Sequence, residues 1–275
     1  MIQTLTILGG DRRQTILAGL LASRGYQVAC RGVPGLPDTH ESLADSIRFA
    51  RILLLPMPAL DKGLIRGTDI PLQAVLDAAR PGTILLGGRL GRVPQTDGVR
   101  ILDYAEDEAL AVGNAVPTAE AAICLALQKL ERTLRGSRVL VIGYGRIGRA
   151  LALRLHLLGA EVTVATRSAA HRAECQGMGM AAEETGHYAA PLSGYDCIFN
   201  TVPYPVLNAA QLRSVRPDCP IFDLASLPGG LSPDCTPGEN YCPALALPGK
   251  FFPVTAAELL CETIIRCLKK EEEKA

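Results

Sequence analysis

The sequence predicts an α/β protein with two Rossmann-like, doubly wound parallel-sheet domains and an interdomain cleft. The chain has 275 residues, which is more than one domain usually holds. Short apolar runs of strand length alternate with amphipathic helical segments, a pattern typical of parallel sheets covered by helices. This alternation begins twice, once at the N-terminus and once near Ser137. Two domains of similar design are therefore expected.

The first domain is predicted over residues 1–113. Residues 4–30 have the pattern of a buried strand, a Gly-Gly turn, an amphipathic helix and a second strand. Apolar runs at 50–60 and 82–88, with a helical segment at 71–79 between them, continue the alternation. A C-terminal helix at about 250–275 has a stripe of apolar side chains, and we expect it to pack on this domain.

The second domain is predicted over residues 114–249. Residues 116–134 are helical in pattern, and Pro117 is expected near the start of this connecting helix because proline fits the first turn. Residues 137–168 then repeat the order of strand, glycine turn, helix and strand. Two further apolar strands end near Thr201 and Ser226, and a Pro/Gly-rich loop is predicted from 228 to 248.

Composition restricts the class of partner. The formal net charge is zero and aromatic residues make up 4% of the chain, so neither the basic surface nor the stacking platforms of a nucleic-acid binder are expected. No apolar run of membrane-spanning length free of charges and helix breakers is found, and the N-terminus has no secretory pattern. We therefore expect a soluble, cytoplasmic protein, with nine reduced cysteines and no metal site.

The segment around Gly143, Gly145 and Gly148 has the spacing G-x-G-x-x-G between a predicted strand and a predicted helix. The first glycine permits the tight turn, the second lets a pyrophosphate approach the backbone, and the third lets helix and strand pack closely. We predict a nicotinamide dinucleotide site here. Its expected residues are Gly143, Tyr144, Gly145, Arg146, Ile147, Gly148, Thr166, Arg167, Ser168, Thr201, Val202 and Pro203.

The end of the next strand distinguishes the two nicotinamide cofactors. An acidic residue there would bind the ribose 2′-hydroxyl of NAD, but this chain has Thr166, Arg167 and Ser168. A guanidinium beside hydroxyl groups suits a 2′-phosphate. NADP is therefore expected in preference to NAD.

A second glycine turn, GGDRRQ from Gly9, has two interpretations. Asp11 and Gln14 fit a helix capping box, which explains both residues without a ligand. Alternatively, the loop faces the cleft and helps to hold an anionic substrate with Arg12 and Arg13. The spacing alone leaves both open.

Several motifs together resemble the family of dipicolinate synthase A subunits over nearly the whole chain. They are GGDRRQ at Gly9, LLLPMPAL at Leu53, NAVPTAEAA at Asn114, VIGYGRIGRAL at Val141, DLASLPGG at Asp223 and LPGKFFPVTAAE at Leu247. The resemblance implies a fold like that of D-2-hydroxyacid and alanine dehydrogenases. It also implies oxidation of dihydrodipicolinate to dipicolinate with NADP during spore formation, and its implied partner is a flavoprotein-like B subunit. Ala257 departs from the glycine of the family's closing motif.

For such a substrate, hydride leaves a ring carbon and a proton is lost as the ring becomes aromatic, so the protein must mainly orient the ring and screen two carboxylates. Arg12, Arg13 and Lys250 are the expected carboxylate holders. Glu120 is a possible proton acceptor, although a carboxylate is also favoured there by the helix dipole. The candidate substrate-binding and catalytic residues are Asp11, Arg12, Arg13, Asn114, Thr118, Glu120, Ser226, Lys250 and Thr255.

Two other functions remain open. The first is a D-2-hydroxyacid or amino-acid dehydrogenase, but His40, His156, His171 and His187 offer no convincing acid/base pair for it. The second is a dinucleotide-binding subunit without turnover of its own, because a fold does not establish activity. We also expect the chain to form a homo-oligomer.

Overall fold

The structure is a computed structural model that describes residues 3–186 and 191–274. His187, one of the four histidines considered above, lies outside the described residues. The chain divides into unit 1, which is Met1–Asn114 with Phe252–Ala275, and unit 2, which is Ala115–Phe251.

The strands are β1 (Thr4–Leu8), β2 (Gln27–Arg31), β3 (Ile52–Leu54), β4 (Leu60–Asp61), β5 (Leu64–Ile65), β6 (Thr83–Gly87), β7 (Val99–Asp103), β8 (Arg138–Ile142), β9 (Glu161–Ala165), β10 (Ala181–Glu183), β11 (Cys197–Asn200), β12 (Ile221–Asp223) and β13 (Tyr241–Pro243). The helices are α1 (Arg12–Ser23), α2 (Leu43–Phe49), α3 (Leu72–Ala78), α4 (Glu108–Lys129), α5 (Arg146–Leu157), α6 (Ala169–Gly177), α7 (Ala209–Ser214), α8 (Leu247–Phe251) and α9 (Pro253–Glu272). Short 3₁₀ helices lie at Tyr104–Glu106 and Leu192–Gly194.

Unit 1 contains a parallel sheet with the strand order β2-β1-β3-β6-β7. Side chains alternate between its two faces, because successive residues of a strand point in opposite directions. Ile52 and Leu54 pack with α1 and α9 on one face, whereas Leu53 packs with α2 and α3 on the other. A sheet buried on both faces explains the continuous apolar runs in the sequence. β4 and β5 form a small separate antiparallel hairpin.

Unit 2 contains a parallel sheet with the order β10-β9-β8-β11-β12-β13. Its core includes fully buried side chains from β8, β11 and β12, such as Leu140, Ile198 and Ile221. Phe199 and Phe222 stack on neighbouring strands with ring centroids 5.4 Å apart. The predicted fold class, two Rossmann-like parallel-sheet domains, is confirmed. The predicted loop from 228 to 248 needs correction, since it contains β13 and the start of α8.

α4 differs from the sequence prediction. We expected a helix beginning near Pro117, but α4 begins at Glu108 and Pro117 lies inside it. Proline inside a helix removes one hydrogen bond and crowds the carbonyl four residues earlier. That residue is Gly113, and helical structure continues through both positions. The burial of Ala115, Ala119 and neighbouring alanines favours the continuous helix despite the proline.

α4 is also the one helix among the described residues that is long and apolar enough to cross a membrane. By length and composition alone α4 passes that test, with a mean hydropathy of 1.5 over its most apolar window. Half of that window is buried inside the protein. The segment contains Pro117 and Glu120, so it is not a run free of charges and helix breakers. Core helices of soluble proteins share these properties, and burial supports that interpretation of α4.

Candidate dinucleotide and substrate sites

The order of strands in unit 2 defines where a ligand would bind. The chain proceeds from β8 through β9 to β10 on one side of the sheet and then places β11 on the other side of β8. In open parallel sheets, ligands bind outside the carboxyl ends of the strands at such a reversal. The two loops at this point are the glycine turn after β8 and Thr201–Pro203 after β11.

At two positions of the turn, neighbouring protein atoms leave no room for any residue larger than glycine. Gly143 has a φ of +98°, and a Cβ there would lie 2.3 Å from Oγ1 of Thr201. A Cβ at Gly148 would lie 2.2 Å from the carbonyl oxygen of Gly143. Any side chain at either position would therefore push the turn, α5 and the β11 loop apart.

Gly145 has a different environment. It is exposed, it is the N-cap of α5, and a Cβ built there would meet no heavy atom within 4 Å. Nothing in the described protein therefore requires a glycine here. The space above it adjoins the positive end of the α5 dipole, and the first turn of α5 has no acidic residue. These features fit a pyrophosphate bound at the helix N-terminus.

Tyr144 lies between these glycines, but its side chain is buried in unit 2. Its ring lies 5.6 Å from that of His171 on α6, and the guanidinium of Arg149 lies 4.6 Å from its centroid. Burial raises the pKa of Tyr144 well above its usual value. The side chain of Tyr144 is thus engaged within unit 2, which leaves its backbone to line the glycine turn. The neighbouring Arg146 is exposed and Ile147 is partly buried at the start of α5.

Two arginines meet at the end of β9. Arg167 is exposed, whereas Thr166 is buried. Ser168 begins α6 as its N-cap, with Oγ accepting from N of His171 at 3.3 Å. Nη1 of Arg172 donates to the carbonyl oxygens of Thr166 at 2.8 Å and Arg167 at 3.0 Å. The sequence analysis missed Arg172, although its position in the first turn after Ser168 was a usable signal.

Loops after β11 and β12 are joined by a buried carboxylate. Asp223, 3% exposed, accepts from Nδ2 of Asn200 at 2.8 Å and from N of Gly230 at 2.7 Å. It also accepts from N of Ala225 and from the hydroxyl of Tyr241. Burial and the Asp223 carboxylate raise the pKa of Tyr241. This network fixes the ends of both strands at the edge where the dinucleotide would bind.

The predicted residues of these two loops occupy different environments. Thr201 donates from Oγ1 to the carbonyl oxygen of Ile142 at 2.9 Å, which ties the β11 loop to the end of β8. Val202 donates from N to Oδ1 of Asn200 at 3.0 Å. Pro203 and Ser226 are exposed. The sequence analysis missed Asn200 and Asp223, and the available signal was a polar residue ending an apolar strand.

Some candidate substrate residues of unit 1 are hydrogen-bonded to other groups of the protein, whereas others are exposed to solvent. Arg13, 7% exposed, forms two hydrogen bonds with the Asp11 carboxylate, at 2.9 and 2.7 Å, and another with the carbonyl oxygen of Met57 at 2.8 Å. Asp11 and Gln14 form the capping box at the start of α1. The guanidinium of Arg13 is therefore already paired with a carboxylate of the protein. Arg12 and Thr255 are exposed, and Asn114 is partly buried.

The remaining candidates lie in unit 2. Thr118 is buried within α4, one helical turn after Asn114. We expected Glu120 in the first turn of a helix, but it lies well inside α4. There its carboxylate pairs with Nε of Arg154 at 3.3 Å. Lys250 is exposed on α8. The helix dipole therefore does not explain Glu120, whereas the ion pair with Arg154 does.

Comparisons with known proteins match each unit separately. Residues 4–104 match the N-terminal domain of the dipicolinate synthase A subunit. Residues 120–222 match the NAD-binding domain of D-isomer specific 2-hydroxyacid dehydrogenases. Unit 2 is therefore a dehydrogenase-type domain for a nicotinamide dinucleotide, and the glycine turn lies within the matched region.

Relatives also match along the full length. The dipicolinate synthase A subunit of Bacillus subtilis (strain 168) is 29% identical over 96% of this chain and 95% of its own. A crystal structure of the Bacillus subtilis A subunit superposes with a TM-score of 0.83 at 26% identity, covering 100% of this chain and 98% of that one. The A subunit from Bacillus halodurans shares the fold, with a TM-score of 0.82 at 23% identity and 97% of both chains covered. The resemblance to the family of dipicolinate synthase A subunits, predicted from six sequence motifs, is thus confirmed from the N-terminal domain through the dinucleotide-binding domain.

Proposed function

We propose that this chain oxidises dihydrodipicolinate to dipicolinate with NADP, as the A subunit of a dipicolinate synthase that works with a flavoprotein-like B subunit in the cytoplasm of a sporulating cell. The observation that carries the proposal is the full-length match to a dipicolinate synthase A subunit, together with a glycine turn that fits a pyrophosphate. The name of that relative also supports the existence of a partner subunit.

The overall chemistry balances as a two-electron oxidation. When bound, NADP would accept a hydride from a ring carbon of the substrate. A neighbouring proton is lost to water, and the products are dipicolinate, NADPH and a proton. Because aromatisation favours the reaction, the protein has to orient the ring and stabilise its carboxylates more than it has to supply a strong base.

The residues of unit 2 would bind and orient the cofactor. The backbone from Gly143 to Gly148 would hold the pyrophosphate at the start of α5. Arg167, Ser168 and Arg172 favour NADP, because two guanidinium groups and a hydroxyl lie where NAD-specific enzymes place a carboxylate. The Asp223 network would keep the loops after β11 and β12 in fixed positions beside the nicotinamide.

One observation bears on the alternative of a 2-hydroxyacid or amino-acid dehydrogenase. Within residues 3–186 and 191–274, no histidine forms an ion pair with a carboxylate. His171 contacts Tyr144 and His40 contacts Phe49 instead. Hydroxyacid dehydrogenases typically use a histidine with a carboxylate partner, so this observation counts against the hydroxyacid alternative.

The test is to incubate the purified chain with freshly prepared dihydrodipicolinate and NADP, with and without the B subunit, and to follow NADPH and dipicolinate together. We expect both products in equal amounts, and the Gly145→Val variant should form neither. Product that requires the B subunit would assign turnover to the complex. NADP binding without dipicolinate in either mixture would contradict the proposed substrate and leave a dinucleotide-binding subunit. Hydroxyacids and amino acids tested in parallel should give no NADPH.

A further inference from the structure

The sheet of unit 1 has a reversal point of the same topological kind as the one in unit 2. Its chain passes from β1 to β2 on one side and returns to β3 on the other side of β1. The carboxyl ends of β1 and β3 therefore flank a reversal point, where parallel sheets bind ligands. The loop after β1 contains Gly9 and Gly10 but no third spaced glycine, so it does not fit a dinucleotide.

Backbone hydrogen bonds join three loops at this edge into one platform. N of Gly10 donates to O of Arg66 at 2.7 Å, and N of Arg66 donates to O of Ala59 at 3.0 Å. N of Ala59 in turn donates to O of Gly88 at 2.8 Å. The loops that follow β1, β3 and β6, together with the β4–β5 hairpin, are thereby held in fixed relative positions.

Glycines allow the hairpin to approach the β1 loop closely. Gly9 has a φ of +63°, and a Cβ there would lie 2.6 Å from O of Arg66. Gly67 has a φ of +84°, and a Cβ there would lie 2.5 Å from O of Gly10. Larger residues would separate these segments, so the position of Arg66 beside the β1 loop depends on both glycines.

Three exposed arginines occur on this platform: Arg12 at the start of α1, Arg66 in the hairpin and Arg89 after β6. In the part of the chain that the structure describes, none of them forms a salt bridge. Arg89 has a φ of +55°, which is uncommon for a residue with a side chain and is a feature often found at binding sites. Its N–H donates to Oδ1 of Asp103 at 2.9 Å, which holds this backbone conformation.

Two acidic groups beside these arginines, Asp11 and Asp103, are already engaged. Asp11 is paired with Arg13. Burial acts to raise the pKa of Asp11, but hydrogen bonds and charge from Arg13, and the charge of Arg66, lower it below its usual value. Asp103 accepts backbone N–H groups of Arg89, Leu90 and Ala105. The three exposed guanidinium groups therefore remain available for an anion from solution.

We propose that Arg12, Arg66 and Arg89 form the subsite that binds the two carboxylates of the substrate. This inference rests on the proposed function, which supplies a ring with two carboxylates as the ligand. Guanidinium groups bind carboxylates by charge-assisted hydrogen bonds, and separate loops can hold two carboxylates that are fixed on one ring. The subsite replaces Arg13, which is buried in its pair with Asp11, by Arg66 and Arg89, which the sequence analysis did not select.

The test measures binding of dipicolinate to the full chain in saturating NADPH by calorimetry, with the monocarboxylate picolinate as comparison. The variants are Arg12→Gln, Arg66→Gln and Arg89→Gln. Arg80→Gln is the matched control, because Arg80 is an exposed arginine without a salt bridge at the opposite, amino-terminal edge of the same sheet. Thermal unfolding and NADPH titration show that each variant is folded and binds cofactor.

We expect each of the three variants to weaken dipicolinate binding by about tenfold or more, the usual effect of losing a hydrogen bond to a charged group. Arg80→Gln should bind as the wild type does, and picolinate should bind more weakly than dipicolinate. Unchanged dipicolinate affinity in all three variants, with a wild type that binds it, would overturn the subsite and leave the proposed function intact. A wild type that binds NADPH but not dipicolinate would instead contradict the proposed function, and the subsite assignment would fail with it.

Discussion

At the scale of single residues, Gly145 and Gly148 belong to one turn but serve different purposes. We predict that Gly145→Val folds normally and no longer binds NADPH, because its side chain would enter open space that fits the pyrophosphate. Gly148→Ala should instead lower the melting temperature, since its Cβ would lie 2.2 Å from O of Gly143. NADPH fluorescence titration and thermal unfolding distinguish the two effects. Gly19→Val is the control, because Gly19 is exposed in unit 1 with no heavy atom within 4 Å of a Cβ. Normal NADPH binding by a folded Gly145→Val protein would reject this position for the site.

Arg167 and Arg172 allow a test of cofactor choice at the same scale. Arg167→Asp should weaken NADPH binding by about tenfold or more, since it replaces a ligand of the 2′-phosphate with a repelling carboxylate. NADH binding should be unchanged or stronger, because a carboxylate can accept a hydrogen bond from the ribose 2′-hydroxyl. Arg172→Gln should weaken NADPH binding less, since Arg172 also donates to two carbonyl oxygens. Equal weakening of NADPH and NADH by Arg167→Asp would contradict the assignment.

At the scale of elements, Asp107 connects the start of α4 to α9. Its carboxylate accepts from N of Leu110 at 3.0 Å and from Arg266 at 2.7 and 3.2 Å. Hydrogen bonds from Arg266, opposed by burial, lower the pKa of Asp107 to about 2. A carboxyl group with a lowered pKa stabilises the folded state above its unfolded pKa near 4, and that stability is lost as the pH falls toward 2.

Asp107→Asn keeps an acceptor for the cap but removes the charge. We expect it to lower the free energy of unfolding at pH 7 by roughly 1 to 2 kcal/mol, a value reduced by the partial exposure of Arg266 to water. The difference from wild type should shrink between about pH 4 and pH 2, as measured by urea denaturation. Asp218→Asn, which removes an exposed pair with Arg216, should change stability little at any pH. A difference that is constant with pH would show that the Asp107 charge is not responsible.

Comparison of individual elements shows which parts of the fold the sequence could predict. β1, α1, β8 and α5 were predictable because their strand-length apolar runs, glycine turns and helical periodicity are local signals. β13 was not, because it has three residues in a Pro/Gly-rich segment and is defined by pairing with β12. α4 was misplaced because tertiary burial maintains a helix through Pro117, which local propensity alone would exclude.

The same distinction applies to the candidate sites. The glycine turn was predictable, since G-x-G-x-x-G is contiguous in sequence. Asp223, Arg66 and Arg89 were not selected, because their contacts join loops that are distant in sequence and meet only in the folded sheet. Arg172 was missed although its contacts with Thr166 and Arg167 are local in sequence. Arg13 was selected for its charge, although that charge is balanced by Asp11 two residues earlier. Sequence therefore locates a site when its residues are contiguous, whereas convergence of separate loops requires the structure.

At the scale of the whole molecule, the two units share one topological feature. Each has a parallel sheet with a reversal point next to its first strand. In unit 2 that point has a glycine turn that suits the phosphates of a dinucleotide, and in unit 1 it has exposed arginines that suit carboxylates. A cofactor and an anionic substrate could thus be bound by separate units of one chain with no net charge.

Continuity of the chain differs between the units and leads to a prediction about their folding. Unit 2 is one continuous segment, but unit 1 needs both ends of the chain, because Leu260, Cys261, Ile264 and Leu268 of α9 are buried in its core. A chain that ends at Phe251 loses all four side chains. Each large-to-small change in a core costs about 2 to 5 kcal/mol, and their loss together exceeds the usual stability of a domain. We expect this chain to lose the cooperative unfolding of unit 1 and to keep NADPH binding by unit 2.

Hydrogen exchange measured on the truncated chain tests this directly, with NADPH titration on the same sample. Amides of β1 and β3 should exchange rapidly, while those of β8 and β11 should stay protected. Ile264→Ala in the full chain is the milder variant, and it should destabilise unit 1 by about 2 to 4 kcal/mol without changing NADPH affinity. Protected β1 amides in the truncated chain would show that α9 is dispensable for unit 1. Loss of NADPH binding would show that the dinucleotide-binding unit is not independent in folding, since its own sheet and core would then require residues that lie outside Ala115–Phe251.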